Sequence, residues 1–339
     1  MGHTDDILND IRGQIDAQPE PLEEARRRLG LVRSIADRFP GARRTYASGS
    51  LAQHTFIHPV SDGDGGVVLN RRFYPELGPD GDGETPSRIT TELCALLGPE
   101  VRKLYPGARC GTSKRGPKLS FAQPVNEQDP TVDLVVALTR REASGLWIPN
   151  LETNTWEASD PEKHVDLFTS GSESVKRTRR RVVRLLKAWN KQWAEPGFSS
   201  HNLTVWAWEF INPGVGMATA LSTVFSCAAA RVSSGAATYD PAGVSPNVRL
   251  LVSRSRAERR LRGAADGLAE ALEHDDDLDT VLKALSKVYR SYLASPPGLA
   301  GKIAPMRDAV PLSIGMVGLA GPAAAIPGTR AYGDEDSTQ

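Results

Sequence analysis

An aspartate stands in the middle of the apolar run Thr131-Val132-Asp133-Leu134-Val135-Val136-Ala137-Leu138. A run of that composition reads as a buried strand. An ionised carboxylate inside one is costly unless something positive compensates it. Upstream, Asp62-Gly63-Asp64 carries two more carboxylates at i and i+2, positions that share one side of a strand. With Asp133 on a neighbouring strand, the three can form one cup of hard oxygen donors, as divalent cations prefer. Taken alone, Ser61-Asp62-Gly63-Asp64-Gly65 also fits an ordinary hairpin turn, and Asp133 a hydrated strand edge. The preceding Gly49-Ser50 favours the cup: glycine lets a backbone approach phosphate, and serine offers an amide and a hydroxyl at a helix N-terminus. Such a set suits a two-metal displacement at phosphorus.

The 339 residues, 40% hydrophobic, suffice for two ordinary domains with proper cores. Lys+Arg and Asp+Glu number 41 each, so bulk charge favours neither a nucleic acid nor a membrane. Charge is nonetheless clustered, basic from Lys176 to Lys191 and acidic at Asp275-Asp276-Asp277 and Asp334-Glu335-Asp336. Cys94, Cys110 and Cys227 contain no Cys-x-x-Cys, which indicates neither a zinc site nor a disulfide framework and fits a reducing cytoplasm. No run of about 18 apolar residues suggests a membrane span, the N-terminus does not read as a signal peptide, and internal repeats are absent.

Apolar periodicity predicts helices over 5–16 and 21–38, a short helix after the Gly-Ser turn within 44–58, and another over 86–104. Val67-Val68-Leu69 reads as a strand after the carboxylate pair, with further strands near 107–112, 117–122 and 131–138, then a loop-rich stretch around Leu146-Trp147-Ile148-Pro149. From about 171 the character is helical, with candidates over 172–194, 200–212, 216–234, 254–274 and 277–293 and a Pro/Gly-rich tail. The expected organisation is α+β: a mixed-sheet domain over 1–170 with N-terminal helices, a helical domain over 171–325 and a polar tail over 326–339.

Ser48-Gly49-Ser50-Leu51-Ala52-Gln53-His54-Thr55, followed by Pro59-Val60-Ser61-Asp62-Gly63-Asp64, resembles the nucleotidyltransferase signature of the DNA polymerase beta superfamily. More closely, it is similar to the bacterial cGAS/DncV-like nucleotidyltransferases of anti-phage CBASS operons. Val183-Arg184-Leu185-Leu186-Lys187-Ala188-Trp189-Asn190 resembles that family's long helix with a phosphate-contacting lysine. Phe198-Ser199-Ser200-His201-Asn202-Leu203 resembles the next segment, where a serine touches phosphate and an aromatic stacks on a base. The resemblance covers roughly 45–212. It implies a polymerase beta-like catalytic domain followed by a helical (OAS-like) domain. It also implies Asp62, Asp64 and Asp133 as catalytic groups holding Mg2+ or Mn2+, and Gly49, Ser50, Lys187, Ser200 and His201 as nucleotide-binding groups. The implied activity joins NTPs into a cyclic di- or trinucleotide messenger, with an effector protein as receiver and CBASS accessory proteins as possible partners. Two departures stand out. His54 replaces the usual glycine, and Gly63, Gly65 and Gly66 flank the paired acids where apolar residues are usual, which leads us to expect a less rigid acid pair.

Plainer readings compete at several positions. Lys187 is either a charge on the triphosphate or a solvated residue of a basic helix. Ser200 is a phosphate ligand, a helix N-cap, or both. His201 either stacks on a base or is a surface histidine. Val175, Val182, Leu185, Leu186, Trp189 and Trp193 read as core, with Trp206 and Trp208 as packing. Two rival functions remain open: RNA end modification, with RNA a possible but not favoured partner, and a non-catalytic nucleotide sensor. A weaker reading makes the C-terminal tail a partner-recognition peptide.

Overall fold

The structure is a computed structural model describing residues 2–81, 86–141 and 143–293. The tail readings beyond 293 lie outside the described residues.

The chain opens with helices α1 (His3–Ile15) and α2 (Pro19–Ala36), followed by strand β1 (Ala42–Ala47), the short helix α3 (Gly49–Gln53) and strand β2 (Asp62–Leu69). Helix α4 (Pro86–Arg102) leads to β3 (Arg109–Ser113), β4 (Gly116–Ser120), β5 (Thr131–Thr139), β6 (Leu146–Asn150) and β7 (Thr155–Ser159). The remainder is helical: α5 (Pro161–Phe168), α6 (Glu173–Lys191), α7 (Ser200–Phe210), α8 (Met217–Ser234), α9 (Arg254–Glu273) and α10 (Leu278–Val288).

The strands form a mixed sheet in the order β1-β2-β5-β4-β3, with β6 pairing β5 and β7 pairing β6. Only β2 and β5 run parallel among the named pairs. Their near-continuous burial matches the two-sided cover that parallel strands require. Helices α2 and α4 cover one face through Ala25, Leu29, Val32, Ile89, Leu93 and Leu97, packed with Val67, Leu69, Val132, Leu134 and Val136 in one core. The fully buried Arg28 of α2 anchors the approach to β5: it pairs with Glu24 at 2.8 Å and Asp129 at 2.6 Å and donates to the Pro130 carbonyl at 2.7 Å.

A second core joins α6, α7, α8, α9 and α10 through Leu185, Trp189, Phe198, Trp206, Leu221, Phe225, Leu268 and Leu285. Helix α1 packs here too, by Ile7, Leu8, Ile11 and Ile15. Thr4 ties it to the α9–α10 turn, its amide donating to Asp275 at 2.7 Å. The N-terminal helix thus leaves the sheet half and closes the helical one.

Three expectations differ from what is found. The acids do not precede a strand at Val67; they lie within β2, which begins at Asp62. The glycines there do not loosen it, because neighbours fill the space: a Cβ at Gly65 would come 2.7 Å from the Tyr46 carbonyl oxygen and 3.0 Å from Leu29. The stretch around Leu146 is the hairpin β6–β7, and α5 follows with Asp160 as its N-cap, accepting from the Lys163 amide at 2.9 Å.

Candidate nucleotide and metal site

Register assembles the acids. In the parallel β2–β5 ladder, Asp64 lies opposite Asp133 and Asp62 opposite Thr131. The Ser48 amide donates to the Asp64 carbonyl at 2.9 Å, which sets α3 beside the acid pair. Gly49, at φ +60°, backs directly onto the Asp64 carboxylate: a Cβ there would fall 1.9 Å from Oδ2. Only glycine tolerates both that φ and that approach.

These carboxylates are under electrostatic stress. Burial, then the charges of Asp62 and Asp133, raise Asp64 well above the ordinary carboxylate range. Burial and Asp133 raise Asp62 in the same way. Asp133 is buried, with Oδ2 3.0 Å from the Lys118 ammonium and Oδ1 without a hydrogen-bond partner among the described residues. Partly uncompensated oxygens of this kind suit a hard divalent cation, which would relieve repulsion, although as they stand the three carboxylates are not all within 4.8 Å of one another.

Asp62 and Asp64 open onto a cavity of about 420 Å3, also lined by Gly49, Ser50, Gln53, Lys187, Lys191, Ser199, Ser200 and His201. That volume lies in the range of small-molecule sites. Lys187 is not solvated. It is 8% exposed, and its ammonium donates to the Thr55 carbonyl at 3.1 Å and hydroxyl at 3.4 Å. Burial and Lys191 depress it to about 8, although Asp62 and Asp64 pull the other way. The α6 stripe is core as expected from Val175 to Trp189. Trp193 departs from it, stacked instead against Arg260 at 4.2 Å and Arg290 at 3.7 Å.

Ser199, not Ser200, caps α7, its hydroxyl accepting from the Asn202 amide at 3.1 Å. Ser200 is the first residue inside the helix, so its hydroxyl is not spent on the cap. His201 is half-buried rather than a plain surface residue. Its ring stands 4.7 Å from that of His164 and 5.8 Å from that of Phe168, and burial pushes it down to about 3, hence neutral.

Sequence reasoning passed over the group behind His201. The buried His164 Nε2 hydrogen-bonds Asp240, and ligand atoms of His164, His201 and Asp240 lie within 4.8 Å of one another. This is a latch rather than an ion cup, because Asp240 is already saturated: it accepts from the amides of Ala242 at 3.1 Å, Val244 at 2.9 Å and Ser245 at 2.6 Å. Burial opposes ionisation of Asp240, but the His164 bond and these amides hold it below the usual carboxylate range. The latch fixes the α8–α9 loop, whose Ser245, Pro246, Val248 and Arg249 complete the cavity wall. The Trp206 indole adds a 3.0 Å bond to the Thr238 hydroxyl. Lys118 was missed as well. A lysine between Pro117 and Leu119 carries no motif, and only the β4–β5 register opposes it to Asp133.

No family model and no curated protein sequence matches the chain. Solved structures do. CdnC of E. coli with ATP aligns at 18% identity and TM-score 0.60, covering 86% of this chain and 99% of that one. The CD-NTase CdnG of Bradyrhizobium diazoefficiens in complex with GTP aligns at 14% and 0.62, covering 85% and 96%. The cyclic AMP-GMP synthase DncV of Vibrio cholerae, with nonhydrolyzable GTP, aligns at 13% and 0.59, covering 86% and 96%. The chain therefore has the CD-NTase fold over nearly the whole length of these proteins, a polymerase beta-like sheet domain joined to a helical one.

Proposed function

We propose that this protein is a metal-dependent nucleotidyltransferase that joins NTPs into a cyclic di- or trinucleotide. The observation that carries the reading is the acid register: Asp64 opposite Asp133, with Asp62 and Asp64 opening onto a cavity shared with Lys187. The shared fold supports it, since CdnC and CdnG were solved with ATP and GTP.

Asp62, Asp64 and Asp133 would hold Mg2+ or Mn2+, which supplies neutralisation of the charge developing on the phosphoryl oxygens. The chain's own groups do the rest. Gly49 lets the backbone lie against the phosphates, and Ser50 and Ser200 offer hydroxyls to them. Lys187 presents a fixed ammonium, its stem held in the core and its head by Thr55. A neutral His201 gives a flat, uncharged face for a base. Asp133 accepts the proton of an attacking ribose hydroxyl. The new bond joins that oxygen to the α-phosphorus, and the α–β bridging bond breaks to release pyrophosphate. A second round within the linear product closes the ring.

Such a product is a messenger. We place the enzyme in the cytoplasm, in CBASS anti-phage defence, with an effector protein as reader of the cyclic nucleotide. A HORMA-type accessory partner, as seen with CdnC of E. coli, fits the same setting. The test is incubation with four labelled NTPs and Mg2+ or Mn2+, followed by phosphatase. A phosphatase-resistant product, absent from Asp62→Ala/Asp64→Ala, is expected. Turnover that needs added tRNA and yields only linear extension would overturn the proposal.

A further inference from the structure

Across the sheet from the paired acids, the same face carries a second polar group that the chemistry above leaves unused. Alternation along β5 puts Asp133, Val135 and Ala137 on one side. Thr139 opposes Leu146, so Leu146, Ile148 and Asn150 continue that side on β6. Ile148 in turn opposes Glu157 on β7. Glu157 and Asn150 therefore face the cavity that Asp62 and Asp64 open onto, and all four line it. Glu157 is held firmly there. Arg115 Nη2 donates to its Oε2 at 2.6 Å, and Asn150 Nδ2 donates to its Oε1 at 2.7 Å. Arg115 is itself pinned, its Nη1 donating to the Pro149 carbonyl at 3.0 Å. The arginine side chain is 8% exposed and the carboxylate 38%, so the carboxylate is the member of the pair presented to the cavity. Burial opposes its ionisation, but the bonds from Arg115 and Asn150 hold Glu157 below the usual carboxylate range. It is thus an acceptor only, and each oxygen keeps a lone pair beyond the bond it already takes.

The geometry points to Glu157 as the group that selects guanine, reading the Watson–Crick edge of a bound GTP with Arg115 behind it. This rests on the proposed reading of the cavity as an NTP site. The choice of base follows from what each edge offers. Guanine alone presents two adjacent donors, N1–H and the N2 amino group, which a carboxylate takes with its two oxygens in one plane. Adenine and cytosine set a ring-nitrogen acceptor beside their amino group, and uracil flanks its one N–H with two carbonyls. Each of these brings a lone pair against the carboxylate. Charge-assisted bonds of the bidentate kind are roughly twice as strong as neutral ones, and a site built to bond an N–H rejects a substrate that lacks it. His201, which lines the same cavity, does not compete for that edge, since stacking uses only the face of a base.

The test is calorimetric binding of the four α,β-methylene NTPs, and of the inosine analogue, to the full-length protein with Mg2+. These analogues cannot be cleaved at the bond that breaks in transfer. Wild type is expected to bind the guanine analogue at least roughly tenfold tighter than the adenine one. The inosine analogue, which lacks only the N2 amino group, is expected to fall between them. Glu157→Gln replaces one acceptor by a donor and is expected to bring guanine and adenine within about twofold of each other. Four analogues bound alike, inosine bound as tightly as guanine, or a guanine preference that survives Glu157→Gln overturns this inference and leaves the NTP site standing. The inosine comparison needs no variant, so it decides even where Glu157→Gln does not fold. A wild type that binds none of the analogues overturns the NTP reading and the inference with it.

Discussion

The acids and the helix-borne groups are positioned by different routes. Asp62, Asp64 and Asp133 are placed by one parallel ladder, in which each residue's partner is fixed by its neighbour's. Slipping that register by one residue would turn every side chain to the other face, so the acids come as a set. Lys187, Ser200 and His201 ride on α6 and α7, positioned by a separate core that includes α1 from the far end of the chain. The remaining wall, from Ser245 to Arg249, is held by the buried His164–Asp240 latch together with the Trp206–Thr238 bond. The strand-borne half of the site is thus set by local pairing. The helix- and loop-borne half is set by docking, and perturbations should separate the two.

The largest effect is expected at the ladder. Asp64→Asn should lower the rate of nucleotidyl transfer at least roughly a thousandfold, by loss of a metal ligand. It should also raise the melting temperature of the metal-free protein at neutral pH. The sign follows from linkage: Asp64 is raised in the folded state, so its ionisation costs stability above the folded value, and the cost vanishes as pH falls towards the unfolded one. The difference between variant and wild type, followed by thermal melts from pH 8 to pH 4, should therefore shrink with acidity. A gap that widens instead would place the stress elsewhere.

On the docked half, Lys187→Ala should weaken NTP binding roughly a hundredfold, as loss of a charge-assisted contact in a dry site implies, while leaving nucleotide-free Mn2+ binding in place. Because Lys187 is depressed to about 8, wild-type NTP affinity should fall as pH rises through that value. Lys187→Arg, charged throughout, should flatten the profile. Equal pH dependence in the two, measured by calorimetry, would remove Lys187 from the phosphates.

His164→Ala should weaken NTP binding by roughly tenfold and cost about 2–4 kcal/mol in denaturant melts, since it strips a partner from a buried carboxylate. Metal affinity at the acids should not change, and that contrast is the sharpest separation of ladder from latch. Smallest of all, Gly65→Ala should cost about 1–3 kcal/mol, from the close approach of the Tyr46 carbonyl. An unchanged melt there would mean that β1 yields more easily than its packing suggests.

The difference between the halves also decides what could be read in advance. The acid set was legible because strand periodicity is local and an acid among Val132, Leu134 and Val135 is conspicuous. So were the α6 stripe and the Gly49–Ser50 turn. Lys118 was not, because cross-strand register is not written in either strand alone. His164 and Asp240 lie 76 residues apart, in segments without periodicity, and α5 is too short to announce itself. Gly63 and Gly65 misled for the opposite reason. Their intrinsic preference is weak strand, and only the packing of Leu29, Leu51 and Tyr46 around them reverses it.

The most direct test of the account is pyrophosphate release from a mixture of the four NTPs with Mg2+ or Mn2+, by wild type and Asp64→Asn side by side. Release by wild type alone, stopped by chelation and recovered when the metal is restored, is the predicted result. Release that persists in Asp64→Asn, or a wild type that binds metal and NTP yet liberates none, would contradict it.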